Sequence, residues 1–439
     1  MPNYGSFEKG ITLSRLIQTG FDDIENGDIH KEIGSFTSQD VLAKESGSTV
    51  DKPCYRALAP NGDVFLFSKT DGDIFKRTQA GVYSQVYTNT QGAHKGAIYY
   101  RGYIYYTTDS KLGRQEVAVA SSESTWTSSD DSFQSLTAGV AHEMEEFDLI
   151  LYITNGKDIA QFDDADVFSS SGLDLPLQYE ATALKAYGDD LLIGAKAGNY
   201  INDSRIFRWD TFTSSWKISD PIKEVGIHTF IDADNFIFVI AGNQGNVYLF
   251  TGTQLDIIKQ IRSVDTNTFN AQMSTNHKGR ALIANGSRVY SIHRKTRDLE
   301  MSLSGEYQVS AGSTAQIQSI VASGDDLIIP WTLPGTPDTY GVDNITSNKA
   351  TAAVYTPIFG EAETIEVSYL DLPTGTSIAI AVKQDGETSY TNLEVEVDSE
   401  DERKVRLKNR IDIKSDAQSR ITLNPSGTSA PVIDNVIVK

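Results

Sequence analysis

The chain has 439 residues, 39% hydrophobic and 10% aromatic, which is enough apolar material for two or three domains with sizeable cores. A formal net charge of −21 repels phosphate, so no nucleic-acid partner is expected. A single cysteine, Cys54, excludes an intrachain disulfide and a cysteine-built zinc site, and is expected to be a small buried residue. Twenty Tyr and eighteen Phe against four Met favour strands, because aromatic side chains fit a pleated surface.

The opening stretch, "MPNYGSFEKG", carries no basic and then apolar leader, and no apolar run approaches the ~20 residues that cross a bilayer. The expectation is a soluble chain made in a cytoplasm, with no signal peptide and no membrane insertion. Residues 1–50 hold no repeat and are expected to form an irregular arm, in which 38–47, "TSQDVLAKES", is a strand available to close a ring.

From residue 51 one pattern recurs. A polar turn leads into a dense apolar strand at Val64, Ile104, Leu149, Leu191, Phe236, Ala281 and Leu327, with spacings of 40, 45, 42, 45, 45 and 46 residues. A modest strand precedes each turn ("YRALA", "GAIYY", "HEMEE", "EATALKA", "IHTFI"), and a third strand follows ("DIFKRT", "EVAVA", "DIAQFD", "RIFRWD", "NVYLFT"). A weaker segment, often aromatic, comes last. Four strands in about 44 residues is the size of one β-propeller blade. A lone four-stranded sheet cannot bury both faces, whereas blades stacked in a closed ring cover one another. The mid-blade strands should then be apolar on both faces, which is why "VFLF", "LILYI" and "FIFVI" do not alternate.

The expected fold is therefore all-β, a seven-bladed β-propeller over 51–359. Its seventh unit is expanded by residues 332–349, and "AAVYTPI" is the expected third strand there. "RWD" at 208–210 stands alone, so the blades lack the recurring tryptophan–aspartate signature, and no Gly-Gly doublet marks a kelch repeat.

Beyond residue 360 the period stops and clean alternation begins: Ile365, Val367, Tyr369; Ile378, Ile380, Val382; Leu393, Val395, Val397; Val405, Leu407; Ile411, Ile413; Ile421, Leu423. Residues 360–439 are expected to form a small antiparallel β-sandwich. In one hairpin, Asp398, Glu396 and Glu394 should face Lys404, Arg406 and Lys408 across the strands, a solvated charged face rather than a basic docking patch.

Signals for chemistry are sparse. "HEMEE", 142–146, lies on a strand, so His142, Met144 and Glu146 share one face and Glu143 and Glu145 the other. His94, His142, His228, Arg56, Gln272 and Gln318 fall at comparable offsets near the innermost strands, where a channel could hold a metal or an anion or be merely hydrated. Acidic turns at Asp71 and Asp73, at Asp163, Asp164 and Asp166, and at Asp232 and Asp234 lack the spaced calcium loop and read first as turns. Trp126, Trp209, Trp216 and Trp331 should pack between blades rather than stack on sugars, Trp331, beside the expanded loop, being the one that could instead be exposed. No phosphate loop, zinc spacing or Ser-His-Asp signature occurs. No catalytic, cofactor-binding or metal residue is assigned, no cofactor is expected, and the chain is read as not an enzyme.

Two stretches, "RALAPNGDVFLFSKTDGDIFKRT" in the first blade and "SRITLNPSGTSAPVIDNVIVK" at the end, resemble virion proteins of tailed bacteriophages in architecture and style. The resemblance implies a structural role in the tail or adsorption apparatus, assembly in the host cytoplasm, and location in the virion. The implied partners are other virion proteins and further copies of the chain in a symmetric assembly, with a host-surface glycan as a further possible ligand. The alternatives are a glycan-binding propeller, which exposed aromatics at equivalent loops would favour, and a propeller glycosidase or lyase, which converging carboxylates would favour.

Overall fold

The computed structural model describes residues 23–25, 27–28, 36–117, 126–163, 165–198, 202–233, 236–252, 254–261, 269–294, 301–356, 358–360, 362–397, 403–408 and 416–438. The described residues are all-β, with two short 3-10 turns at Ser128–Ser132 and Ala271–Met273. None forms a helix long and apolar enough to cross a membrane. The chain divides into two compact units, one of residues 44–287 and 311–344, the other of residues up to 43, 288–310 and 345–439.

The first unit contains five complete four-stranded antiparallel sheets in simple up-and-down order. The first of these runs Cys54–Leu58, Val64–Ser68, Asp73–Arg77, Tyr83–Thr88. The dense strands fall at the expected period: Val64–Ser68, Tyr103–Thr107, Ile150–Asn155, Asp190–Ala197, Phe236–Ala241, Arg280–Asn285 and Asp326–Leu333. Val64–Ser68 is buried at every position, while the outer strand Tyr83–Thr88 is mostly open after Tyr83.

Alternate residues of one strand serve two different cores. Phe65 and Phe67 pack with Ala97, Ile104 and Tyr106 of the second sheet. Val64 and Leu66 pack with Val321, Ile328 and Val342 of the seventh repeat. Similarly, Tyr152 packs toward the fourth sheet and Leu151 and Ile153 toward the second. Burial on both faces of each dense strand is the physical reason for the unbroken apolar runs.

The first strands neighbour one another in sequence order: Cys54–Leu58, Gly96–Tyr100, Met144–Phe147, Tyr179–Tyr187, Ile227–Ala233, Ser274–His277, Val321–Ser323, and back to Cys54–Leu58. Within this unit the Glu45 N–H donates to the Val342 carbonyl at 2.9 Å, and Lys44 Nζ to the Tyr340 carbonyl at 2.9 Å. The expanded segment of the seventh repeat is not a loop throughout, because residues 339–343 pair with 329–333. That strand takes the place expected for "AAVYTPI", and Ala352–Tyr355 joins the other unit instead. Trp331 is correspondingly buried, its Nε1 donating to Asp343 Oδ1 at 2.6 Å.

The second unit has two antiparallel sheets. One is ordered Asp23–Glu25, Ala352–Tyr355, Ala417–Asn424, Ser377–Gln384, Thr391–Asn392; the other Gly27–Asp28, Phe36–Ser38, Val432–Val438, Ile365–Asp371, Lys404–Leu407, Val395–Val397. Both contribute to one core that includes Phe36, Val354, Ile380, Ile421, Val367 and Ile433. Ala417–Asn424 alternates buried and half-buried at every step, as the sequence pattern requires. The segment expected to be an irregular arm thus supplies strands to these sheets, through backbone pairing that its polar sequence does not announce. Glu396 stands opposite Arg406, and Lys408 meets Glu394 at 3.5 Å, in the expected register. Asp398, Ile411 and Ile413 lie outside the described residues. The hairpin Arg288–Arg294 and Met301–Gln308 also belongs to this unit.

Candidate functional site

Two cavities open among the first strands of the first unit, of about 490 and 250 Å³. The larger is lined by Tyr55, Lys95, His142, Glu180, Lys196 and Phe269 among others, the smaller by Arg56, Glu145, Lys185, Asp232, Gln272 and Asn276 among others. Glu143 and Ala271 line both. Innermost strands pack less apolar surface than mid-sheet ones, so polar side chains are tolerated where they can be hydrogen-bonded.

Glu143 is anchored through its backbone, its N–H donating to Thr154 Oγ1 at 2.8 Å and its carbonyl accepting from the Thr154 N–H at 2.9 Å. Burial pushes its carboxyl up to about 7, against the opposing charges of Arg56 and Lys69 and a hydrogen bond from the Ala271 N–H. Arg56 is clamped by neutral acceptors, Nε to the Ile320 carbonyl at 2.9 Å and Nη2 to the Ser274 carbonyl at 3.2 Å. Burial pushes Arg56 down to about 10, opposed by Glu143 and Glu145. Lys69 donates to the Gln318 carbonyl at 2.8 Å and sits 4.3 Å above the Tyr55 ring. Burial pushes Lys69 down to about 8.

Gln272 ties three repeats together: its Oε1 accepts from the Arg56 N–H at 2.7 Å, and its Nε2 donates to the Ala97 carbonyl at 2.8 Å. The remaining lining charges have ion-pair partners, Lys95 with Asp109 at 3.5 Å outside the lining and the others with one another. Lys185 meets Glu145 at 2.9 Å and Asp232 at 3.6 Å, and Lys196 meets Glu180 at 3.2 Å.

The six positions read from the sequence as a channel set do not converge as one group. His94 is buried between sheets, its Nδ1 2.8 Å from the Ser68 carbonyl, its Nε2 2.7 Å from Asn89 Nδ2, and its ring edge-on to Phe67 and Tyr106. Burial pushes its pKa down to about 4. His142 and His228 line the larger cavity, Arg56 and Gln272 the smaller, and Gln318 binds Lys69. Each His142 nitrogen faces a backbone carbonyl, of Thr154 at 3.0 Å and Asp109 at 3.3 Å. Among the described residues no group of three or more His, Cys, Asp or Glu side chains could hold a metal ion.

The acidic turns serve local structure. Asp71 and Asp73 are both bound by Lys52, and Asp163 accepts from the Ala165 and Val167 N–H groups at 3.0 and 2.8 Å. Asp164 and Asp234 lie outside the described residues. Trp126, Trp209 and Trp331 are buried. Cys54 is a free, buried thiol whose pKa burial drives up.

Sequence reasoning did place Glu143 and Glu145 on a common face, and both line the smaller cavity. It did not single out Lys69 or Lys185. Lys69 follows directly on a dense strand and leads into an acidic turn, a place where a lysine normally faces solvent. Lys185 lies within the long first strand Tyr179–Tyr187.

No family model and no curated protein matches the chain. Among solved structures it is similar to a streptogramin B lyase, at 15% identity over 70% of this chain and 97% of that one, with a TM-score of 0.48. It is also similar to the Neurospora crassa Pan2 WD40 domain, at 9% identity over 70% and 95%, TM-score 0.44. The Dos1 propeller is similar at 11% identity over 71% and 95%, TM-score 0.43.

Proposed function

We propose that this chain is a non-enzymatic structural component of a tailed-bacteriophage virion, in the tail or adsorption apparatus. In this reading a seven-bladed β-propeller acts as a rigid interaction platform and a small antiparallel β-sandwich accompanies it. The observation that carries the reading is the cycle of first strands, which returns from Val321–Ser323 to Cys54–Leu58 and is cross-braced by Gln272, Arg56 and Lys69. A closed ring has no end repeat to fray, which suits a part that bears load among neighbours. The resemblance of the first repeat and the final strands to tailed-phage virion proteins supplies the setting. Partners are other virion proteins and further copies, where repetition adds avidity to weak contacts.

Peptide mass spectrometry of density-purified particles tests this. Abundant peptides from both units, at a copy number that is a multiple of three, five, six or twelve, are expected. Absence from particles, with the protein confined to host lysate, overturns the reading.

One observation favours a propeller glycosidase or lyase as a second reading: Glu143, with its raised pKa, and Glu145, paired with Lys185, line the same cavity. Turnover of a glycoside or uronide panel that is abolished by Glu143→Gln would establish it. The glycan-binding alternative has less behind it, since Phe212 is the one aromatic among the strongly exposed large hydrophobics of the described residues.

A further inference from the structure

Arg56 and Glu143 are the two charged side chains of the smaller cavity that meet no opposite charge directly among the described residues. Lys185, Glu145 and Asp232 answer one another. Arg56 lines the cavity and gives Nε and Nη2 to backbone carbonyls, neutral acceptors that leave its charge unanswered. Glu143 receives one backbone N–H, from Ala271. The two groups act on each other through space without forming an ion pair. A cation and an acidic group that line one gap match a molecule that carries both charges.

We propose that this gap binds a small zwitterion, a free α-amino acid, with its carboxylate on Arg56 and its ammonium on Glu143. Three further features fit. The guanidinium is held by Ile320 and Ser274 and the Glu143 backbone by Thr154, so the site is organised before the ligand arrives. Glu143 also lines the larger cavity, which offers Tyr55, Phe269 and His228 to a side chain. Its volume of about 490 Å³ lies within the range of small-molecule sites, which runs from about 300 to 1,000 Å³. A neutral sugar leaves both charges without a counter-ion, which is why the zwitterion is the better complement. The inference does not depend on virion location.

Isothermal titration calorimetry of the full chain with L-phenylalanine at neutral pH tests it, in phosphate and in Tris. The charged groups acting on Glu143 are Arg56 and Lys69. A bound ammonium adds to them and favours the carboxylate over the protonated form that burial favours, so binding should release protons. The expected result is saturable binding whose apparent enthalpy differs between the two buffers, the sign of the difference showing net proton release. N-acetyl-L-phenylalanine, lacking the ammonium, and 2-phenylethylamine, lacking the carboxylate, should each bind about tenfold or more weakly. Glu143→Gln and Arg56→Gln should lose binding to a similar extent. No heat from millimolar L-phenylalanine, L-arginine or L-glutamate overturns the proposal, and so does equal binding of the capped analogues, which needs no variant to fold. Binding of methyl glucoside in place of the amino acids overturns it and favours the glycosidase reading.

Discussion

Glu45 grips Arg77 with both carboxylate oxygens, Oε1 accepting from Nη2 at 2.6 Å and Oε2 from Nε at 2.7 Å. The Tyr83 hydroxyl donates to the same carboxylate, Asn344 Nδ2 lies 3.2 Å from it, and Asp326 stands 3.2 Å from Arg77. The first and seventh repeats therefore meet on one buried guanidinium. Glu45→Gln leaves that guanidinium short of a counter-charge and should lower unfolding stability by about 3 kcal/mol, read as a shift in urea midpoint. The acid limb follows from the same contact. Burial alone would raise the Glu45 pKa, but hydrogen bonds from Arg77 and Tyr83 and the charge of Arg77 lower it overall. The stabilisation is complete above the ordinary carboxylate pKa of about 4.3 and is lost as the pH falls through the lower folded value. The wild type and Glu45→Gln should thus converge in stability in strong acid.

Glu143 behaves with the opposite sign. Its folded pKa of about 7 lies above the unfolded value, so the folded chain holds the proton more tightly. Stability contributed by the neutral form is complete below the unfolded pKa and declines as the pH rises toward 7. Glu143→Gln, which carries no charge, should be more stable than the wild type by about 3 kcal/mol at pH 8 and equal to it near pH 4. Thermal midpoints across that range check the crossover.

Gly113 faces Tyr106 across its strand pair, and a Cβ built there would lie 2.4 Å from the ring. Gly341 stands in the same relation to Trp331, again at 2.4 Å. The Tyr106 ring cannot swing aside cheaply, because its hydroxyl donates to the buried Asp131 at 2.6 Å. Gly113→Ala should cost about 1–3 kcal/mol by overpacking, and a denaturant melt would show it. A neutral result would mean that the ring has a second position.

In the other unit Glu366 is buried between Lys404 at 2.8 Å and Arg406 at 3.0 Å, on the strand next to theirs. Glu366→Ala should cost about 2 kcal/mol. The same change at Glu394, whose ion pair with Lys408 is exposed, should cost well under 1 kcal/mol. Paired urea titrations of the two variants test the contrast.

That pair of carboxylates also marks how far sequence carries. The Glu396–Arg406 and Glu394–Lys408 register was legible because a charged face alternates with an apolar one. Glu366 was not, since its partners come from an adjacent strand whose position no local pattern encodes. The repeat was legible because Val64–Ser68 must bury both faces and says so in every residue. The strands Asp23–Glu25 and Phe36–Ser38 were not, being short and paired with strands more than three hundred residues further along. At the cavities, strand alternation placed Glu143 beside Glu145, while Arg56 and Ala271 reach Glu143 only through the packing of distant repeats.

The hydrogen bond from the Glu45 N–H to the Val342 carbonyl joins residues at the two ends of the first unit. A ribosome releases Glu45 early and Val342 only after nearly three hundred further residues, so this contact is closed by timing as much as by affinity. Until then one apolar face of the first sheet, Val64 and Leu66, waits for Val321 and Ile328. Closure waits on synthesis of the seventh repeat, and a nascent chain stalled short of it is the form that chaperones would be called on to shelter.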